Sequence, residues 1–159
     1  MSDAAFEIRL LAPEQATLLH ELLEVYAEAF GEDGIPPRTD VAYLGRLLGS
    51  GQILALVALQ AGRVVGGLSG YVLPRLARAN DEFYLYDLAV AEHARRRGIA
   101  RALIDALQAI AKDRNYATIY VQAHPEDTPA TALYTHYAEA QDVVHFELCR
   151  NAALVDQAD

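Results

Sequence analysis

Arg95-Arg96-Arg97-Gly98 stands between an apolar, strand-like run and a stretch with helical periodicity. Backbone N–H groups at a helix start, a glycine that lets a ligand approach and nearby guanidinium groups all converge on a phosphate-like anion. Cations at that end of a helix oppose its dipole, at about 0.3–1 kcal/mol each when exposed. Three in a row are therefore either a solvated charge run or an anion seat whose local cost has a functional return. Residues 95–114 hold six basic and two acidic side chains, against seven and twenty in the rest of the chain. The Gly-Lys-Ser/Thr ending of a P-loop is absent, and so are the three spaced glycines of a dinucleotide fingerprint.

Asp87 is a second candidate. It falls inside the strand-like run 82–90, where strict alternation sets it with Phe83, Leu85 and Ala89. Apolar company raises a carboxylate's pKa and moves it toward general-base work. It could equally hold an ammonium, act through a water, or be a structural Asp bonded to backbone at a bulge. His124 is the rival base, because its ordinary pKa suits proton transfer near neutrality, although a His beside a Pro also suits a surface loop.

The elements that must position these groups follow from periodicity and turn residues. Residues 7–12 read as a first strand and 13–30 as an amphipathic helix with Leu18, Leu19, Leu22, Leu23, Tyr26 and Phe30 at helical spacing. Residues 31–37 read as a loop, and Thr39 or Asp40 caps a short helix carrying Val41, Leu44, Leu47 and Leu48. Two strands, 52–60 and 63–73, flank the turn Ala61-Gly62. Strand 82–90, helix 95–114, strand 117–123, helix 128–137 and a last strand 142–148 complete the order. An antiparallel start passing into a β-α-β unit defines a mixed-sheet α/β (or α+β) domain with parallel pairing across the long helix.

The 159 residues are one domain's worth, read as residues 1–150 with a frayed tail over 151–159. A net charge of −9 argues against general nucleic-acid binding and against anionic lipid, and suits a cationic partner. The one cysteine, Cys149, excludes an internal disulfide and reads as a packed thiol; no Cys/His cluster points to a metal. The first residues lack the basic and apolar segments of a signal peptide, and no stretch approaches the roughly 20 apolar residues of a membrane span. The expectation is a cytoplasmic protein.

Leu88-Ala89-Val90 followed by Arg95-x-x-Gly98-x-Ala100 resembles the Arg/Gln-x-x-Gly-x-Gly/Ala acetyl-CoA motif of the GNAT family of N-acetyltransferases. Asp127-x-x-Ala130-x-x-Leu133-Tyr134 is similar to that family's Asn-x-x-Ala-x-x-Leu-Tyr segment, with Asp in place of Asn. Ala138-Glu139-Ala140 stands where a Gly-Phe is common, and there is room for one final strand where many members have two. A narrower likeness, from about residue 40 to 148, is to the type I aminoglycoside 3-N-acetyltransferases. It is carried by Tyr43-Leu44-Gly45, Tyr71-Val72-Leu73-Pro74, Tyr84-Leu85-Tyr86-Asp87, Tyr120-Val121-Gln122-Ala123, Ala132-Leu133-Tyr134-Thr135 and His145-Phe146.

The resemblance implies a mostly antiparallel sheet with a splayed central parallel strand pair, flanked by helices. It implies direct attack of an amine on the thioester of acetyl-CoA in a ternary complex, with no metal. The pyrophosphate would rest on Arg95, Arg96, Arg97, Gly98, Ile99, Ala100 and Arg101. The pantetheine would pair with the main chain of Leu88, Ala89 and Val90, and a backbone N–H near Leu88 would face the developing oxyanion. Tyr134 would protonate the leaving thiolate, and Asp87 would serve the amine. His124, Glu126 and Asp127 would line an acceptor cleft for a polycationic aminoglycoside, with Glu32 and Asp33 adding a wall; the bland alternative for these acids is an ordinary solvated surface. A polyamine, an amino-sugar metabolite, a peptide amine, or acetyl-CoA sensing without turnover are the other readings. A homodimer is a further expectation.

Overall fold

The computed structural model describes residues 5–31 and 39–149. The chain divides into two compact units, residues 1–122 and 123–159. The first holds β1 (Glu7–Leu10), α1 (Ala16–Phe30), α2 (Val41–Gly49), β2 (Ile53–Gln60), β3 (Arg63–Pro74), β4 (Asp81–Val90), α3 (Ile99–Asp113) and β5 (Ile119–Val121). The second holds α4 (Thr128–Thr135).

The five strands form one sheet in the order β1-β2-β3-β4-β5. The first three pairings are antiparallel and β4 with β5 is parallel, as the β-α-β reading requires. Residues of β2 alternate between two cores. Ala55, Val57 and Leu59 pack with Leu19, Leu22, Val25 and Tyr26 of α1 and Leu44 and Leu48 of α2. Leu54, Leu56 and Ala58 pack with Phe83, Leu85 and with Ile99, Leu103 and Leu107 of α3. Two-sided burial explains why this strand is an unbroken apolar run.

Asp40 caps α2, its side chain accepting the Tyr43 N–H at 2.6 Å. The long helix starts later than its periodicity suggests. Residues 92–94 form a 3-10 turn, and Arg95 and Arg96 lie outside helical geometry, with ψ 162° at Arg95 and φ 64° at Arg96. Gly98, at φ 79°, is the cap from which α3 begins. The arginine triplet thus precedes the helix and escapes most of the dipole cost of sitting in its first turn.

Among the described residues, 142–148 form no strand. Val143, Val144, Phe146 and Leu148 are all exposed, so this β-favouring run has no ladder partner and no apolar face to cover. Cys149 is exposed too, contrary to its reading as a packed thiol. The acidic loop residues Glu32 and Asp33, and the tail after Cys149, lie outside the described residues.

Candidate active site

Pairing between β4 and β5 covers only Phe83↔Ile119, Tyr84↔Tyr120 and Leu85↔Val121. Beyond Leu85, residues 86–90 have no β5 partner among the described residues, while β3 holds their other edge through Leu68↔Leu88, Gly67↔Ala89 and Gly66↔Val90. This is the splay expected of the parallel pair. It leaves the edge of β4 away from β3 without a strand partner from Tyr86 onward, where an extended ligand could add as a strand, although the Val90 carbonyl already accepts from Arg95.

A β-bulge sets the start of that open edge. Ser69 faces Asp87 but the next β3 residue, Gly70, faces Leu85, so Tyr86 is the extra residue. A bulge shifts the alternation by one. Phe83 and Leu85 therefore stay on the α3 face, whereas Asp87 and Ala89 turn to the α1 face; Ala89 accordingly joins the α1 core and Leu88 packs with the α3 core. The strict alternation that sets Asp87 beside Phe83 and Leu85 fails here. Asp87 is half-buried, and the Tyr26 hydroxyl donates to its backbone carbonyl at 3.4 Å.

The bulge needs glycine opposite it. A Cβ on Gly70 would collide with the Tyr84 carbonyl oxygen and come within 2.7 Å of the Phe83 ring. Gly67 meets the same kind of limit, since its Cβ would stand 2.5 Å from the Leu56 carbonyl oxygen and 2.7 Å from Leu22 Cδ1 of α1. Close approach of α1 to β3 thus depends on a residue with no side chain.

The turn after β4 is held by Arg95, whose Nε donates to the Val90 carbonyl at 3.0 Å. In this structure Arg95 is therefore a clip on the strand end. Arg96, Arg97 and Gly98 are exposed, Ile99 is buried and Ala100 is half-buried. Nothing lies within 4 Å of where a Gly98 Cβ would be, so the glycine is required by its φ and the space above it is open. The first helical bond runs from the Ala102 N–H to the Gly98 carbonyl at 3.0 Å. No side chain caps the helix start and no acidic residue sits in its first turn. The free amides at this end of α3 and the exposed arginines beside them are groups that would fit a diphosphate.

A chain of four tyrosines runs from Tyr71, which feels the Asp87 charge, to Tyr120 on β5; the sequence picks none of them out for chemistry outside the family likeness. Tyr84 stacks on Tyr120 at 4.8 Å between ring centroids, and Tyr86 meets Tyr71 at 5.3 Å and Tyr84 at 5.6 Å edge-on. The Tyr84 hydroxyl donates to Gln122 Oε1 at 2.8 Å. Burial, then Tyr86, Asp87 and Tyr43, push the Tyr71 phenol above its ordinary value. Burial, then Tyr86 and Tyr120, do the same at Tyr84. The signal that could have found them is plain alternation: Tyr84 pairs opposite Tyr71 and beside Tyr120, so all three share a face.

In the second unit, His124 and Glu126 are exposed in the turn before α4. Asp127 is the cap of α4, its Oδ1 accepting the Ala130 N–H at 3.1 Å. That explains why Asp substitutes for Asn here, since both are good caps. Tyr134 is half-buried on the last turn of α4. The first unit thus gathers Asp87, the open strand edge and the arginine turn at one end of β4, and the second gathers His124, Glu126, Asp127 and Tyr134 on one turn and helix.

Residues 19–138 match the model of the acetyltransferase (GNAT) family, and the chain belongs to that family. An aminoglycoside acetyltransferase from an uncultured soil metagenomic sample is 40% identical, with a TM-score of 0.85 over 92% of this chain and 99% of that one. A second aminoglycoside acetyltransferase of metagenomic soil origin, solved with sisomicin and with trehalose, is 30% identical at a TM-score of 0.83, over 92% and 97%. The L-2,4-diaminobutyric acid acetyltransferase of Streptomyces anulatus is 31% identical over 83 residues, 52% of this chain. The chain's match spans about half that relative's length, 46%.

Proposed function

We propose that the protein transfers the acetyl group of acetyl-CoA to an amine of an aminoglycoside, the 3-amino group by the sequence likeness. The observation that carries this is the open edge of β4 from Tyr86 to Val90, with Asp87 at one end and the arginine turn at the other. Likeness to two aminoglycoside acetyltransferases over almost the whole chain supports the choice of acceptor.

Acetyl-CoA supplies an activated thioester. The amides of residues 96–101, with the arginines, hold its pyrophosphate, and the backbone of Leu88, Ala89 and Val90 aligns its pantetheine arm. The acceptor's nitrogen forms a bond to the carbonyl carbon, the C–S bond breaks, and its electron pair leaves on sulfur. Asp87 orients the ammonium and takes its proton, directly or through a water; a backbone N–H near Leu88 stabilises the oxyanion. By the family likeness, Tyr134 returns a proton to the thiolate. By the same likeness, Glu126, Asp127 and His124 would attract the remaining positive charges. Acetylation converts an ammonium into a neutral amide and so lowers the charge with which such an antibiotic binds, which is the basis of a resistance role.

The test is thiol release by purified protein from acetyl-CoA with gentamicin, spermidine, 2,4-diaminobutyrate and an N-terminal peptide. Gentamicin is expected to give the highest kcat/KM. Preference for 2,4-diaminobutyrate would move the assignment to small diamines, in line with the Streptomyces relative. Coenzyme A binding without turnover of any amine would make the protein a sensor.

A further inference from the structure

We propose that Tyr71, Tyr86, Tyr84 and Tyr120 form a preorganised aromatic platform that receives a saccharide ring of the acceptor while Asp87 receives its amine. This rests on the amine-acetylating reading above and adds where the ring lies. The four rings make one unbroken chain of contacts, Tyr71 to Tyr86 to Tyr84 to Tyr120. None belongs to either core cluster. Tyr71 is 41% exposed, Tyr86 58% and Tyr120 37%, so the platform is open where the rest of this sheet face lies under α1 and α2. Contiguous exposed apolar area of this kind marks a binding surface.

Aromatic faces are electron-rich. They attract the slightly positive C–H face of a sugar ring and, more strongly, an ammonium. The rings are held before any ligand arrives: Tyr86 is wedged between Tyr71 and Tyr84, and Tyr84 is tied to Gln122. Little side-chain entropy is then lost on binding. The bulge is what joins the platform to the chemistry. It pushes Tyr86 out of the ladder and in the same step turns Asp87 onto the face that carries Tyr71 and Tyr84. A ring on the tyrosines and an amine at Asp87 are thus demands that a rigid aminoglycoside meets and a flexible polyamine does not.

Two variants, Tyr86→Leu and Tyr120→Leu, test this against Tyr86→Phe, which keeps the ring. The readout is kcat/KM for gentamicin divided by kcat/KM for 1,3-diaminopropane, which has an amine but no ring. Each leucine variant is expected to lower that ratio about tenfold, the equivalent of roughly 1.4 kcal/mol, with the loss in KM for gentamicin; Tyr86→Phe restores it. An unchanged ratio in both leucine variants overturns the platform. The second readout is the shift of tyrosine ring signals in NMR when gentamicin is titrated into the wild-type protein with coenzyme A. Shifts at Tyr86 and Tyr120 without acetyl transfer would uphold the platform and sink the aminoglycoside acetylation. Acetyl transfer to gentamicin with no shift at either ring would do the reverse.

Discussion

The Tyr26 hydroxyl lies 3.0 Å from Ser69 Oγ, and Ser69 is the β3 residue paired with Asp87. The same hydroxyl reaches the Asp87 carbonyl. A side chain from the buried face of α1 therefore pins the bulged segment of β4 from the core side. Tyr26→Phe keeps the ring in the core and removes these bonds. The expected cost is about 1 kcal/mol of stability. Because the bulge loosens, kcat should fall several-fold while KM for acetyl-CoA stays. Chemical denaturation and steady-state rates measure the two effects, and an unaltered kcat would show that Asp87 is positioned without α1.

Asp87→Asn keeps the shape and removes the charge. If Asp87 takes the amine's proton, kcat should drop by about 10²–10⁴-fold, with coenzyme A affinity by calorimetry nearly intact. A fall confined to KM for the amine would make Asp87 an electrostatic anchor and pass the base role to another group.

Gly98 stands at φ 79° with open space above it. Gly98→Ala should therefore cost only the backbone strain, about 1–2 kcal/mol. Gly98→Val adds bulk where the diphosphate would approach and should weaken coenzyme A binding far more than it lowers the melting temperature. Equal binding by both variants would remove this turn from the cofactor site.

Much of this was legible from residue order. Apolar periodicity, a Thr39 or Asp40 cap and the Ala61-Gly62 turn placed ten elements close to where nine of them stand, and the parallel β4–β5 pair followed from the intervening helix. Three things were not legible, each for a physical reason. The bulge entered the sequence reading only as the structural alternative for Asp87; nothing on β4 itself marks Tyr86 as the extra residue, and Gly70 stands opposite on the neighbouring strand. The start of α3 is set by left-handed backbone at Arg96 and Gly98, and arginine carries no propensity that announces it. Residues 142–148 have strand-like composition, but composition does not supply a partner edge.

Gly70→Ala tests the bulge itself. The new methyl would strike the Tyr84 carbonyl and the Phe83 ring, both held by the ladder and the α3 core. Neither is the movable tip of a flexible side chain. Overpacking of this kind costs about 1–3 kcal/mol, read as a lower denaturation midpoint. If the bulge re-registers to make room, Asp87 changes face and activity is lost even where the protein remains folded. A variant that is stable and fully active would mean that the strands part here at no cost.

The Tyr71 phenol gives the alkaline limit. Burial, Tyr86, Asp87 and Tyr43 all raise its pKa in the folded protein above the ordinary 10.0. Below pH 10 the phenol is protonated in both folded and unfolded chains, so its ring and hydroxyl contribute fully. As pH rises past 10 the unfolded chain gives up the proton more readily than the folded one, and stability is lost until the folded phenol also ionises. Tyr84, raised by burial, Tyr86 and Tyr120, adds to the same window. Tyr71→Phe should therefore flatten the decline in unfolding free energy above pH 10 and leave the pH dependence below pH 9 as it is in the wild type. Denaturation curves between pH 8 and 11.5 would show this; parallel declines in wild type and variant would mean that neither burial nor Tyr86, Asp87 and Tyr43 raise the Tyr71 phenol.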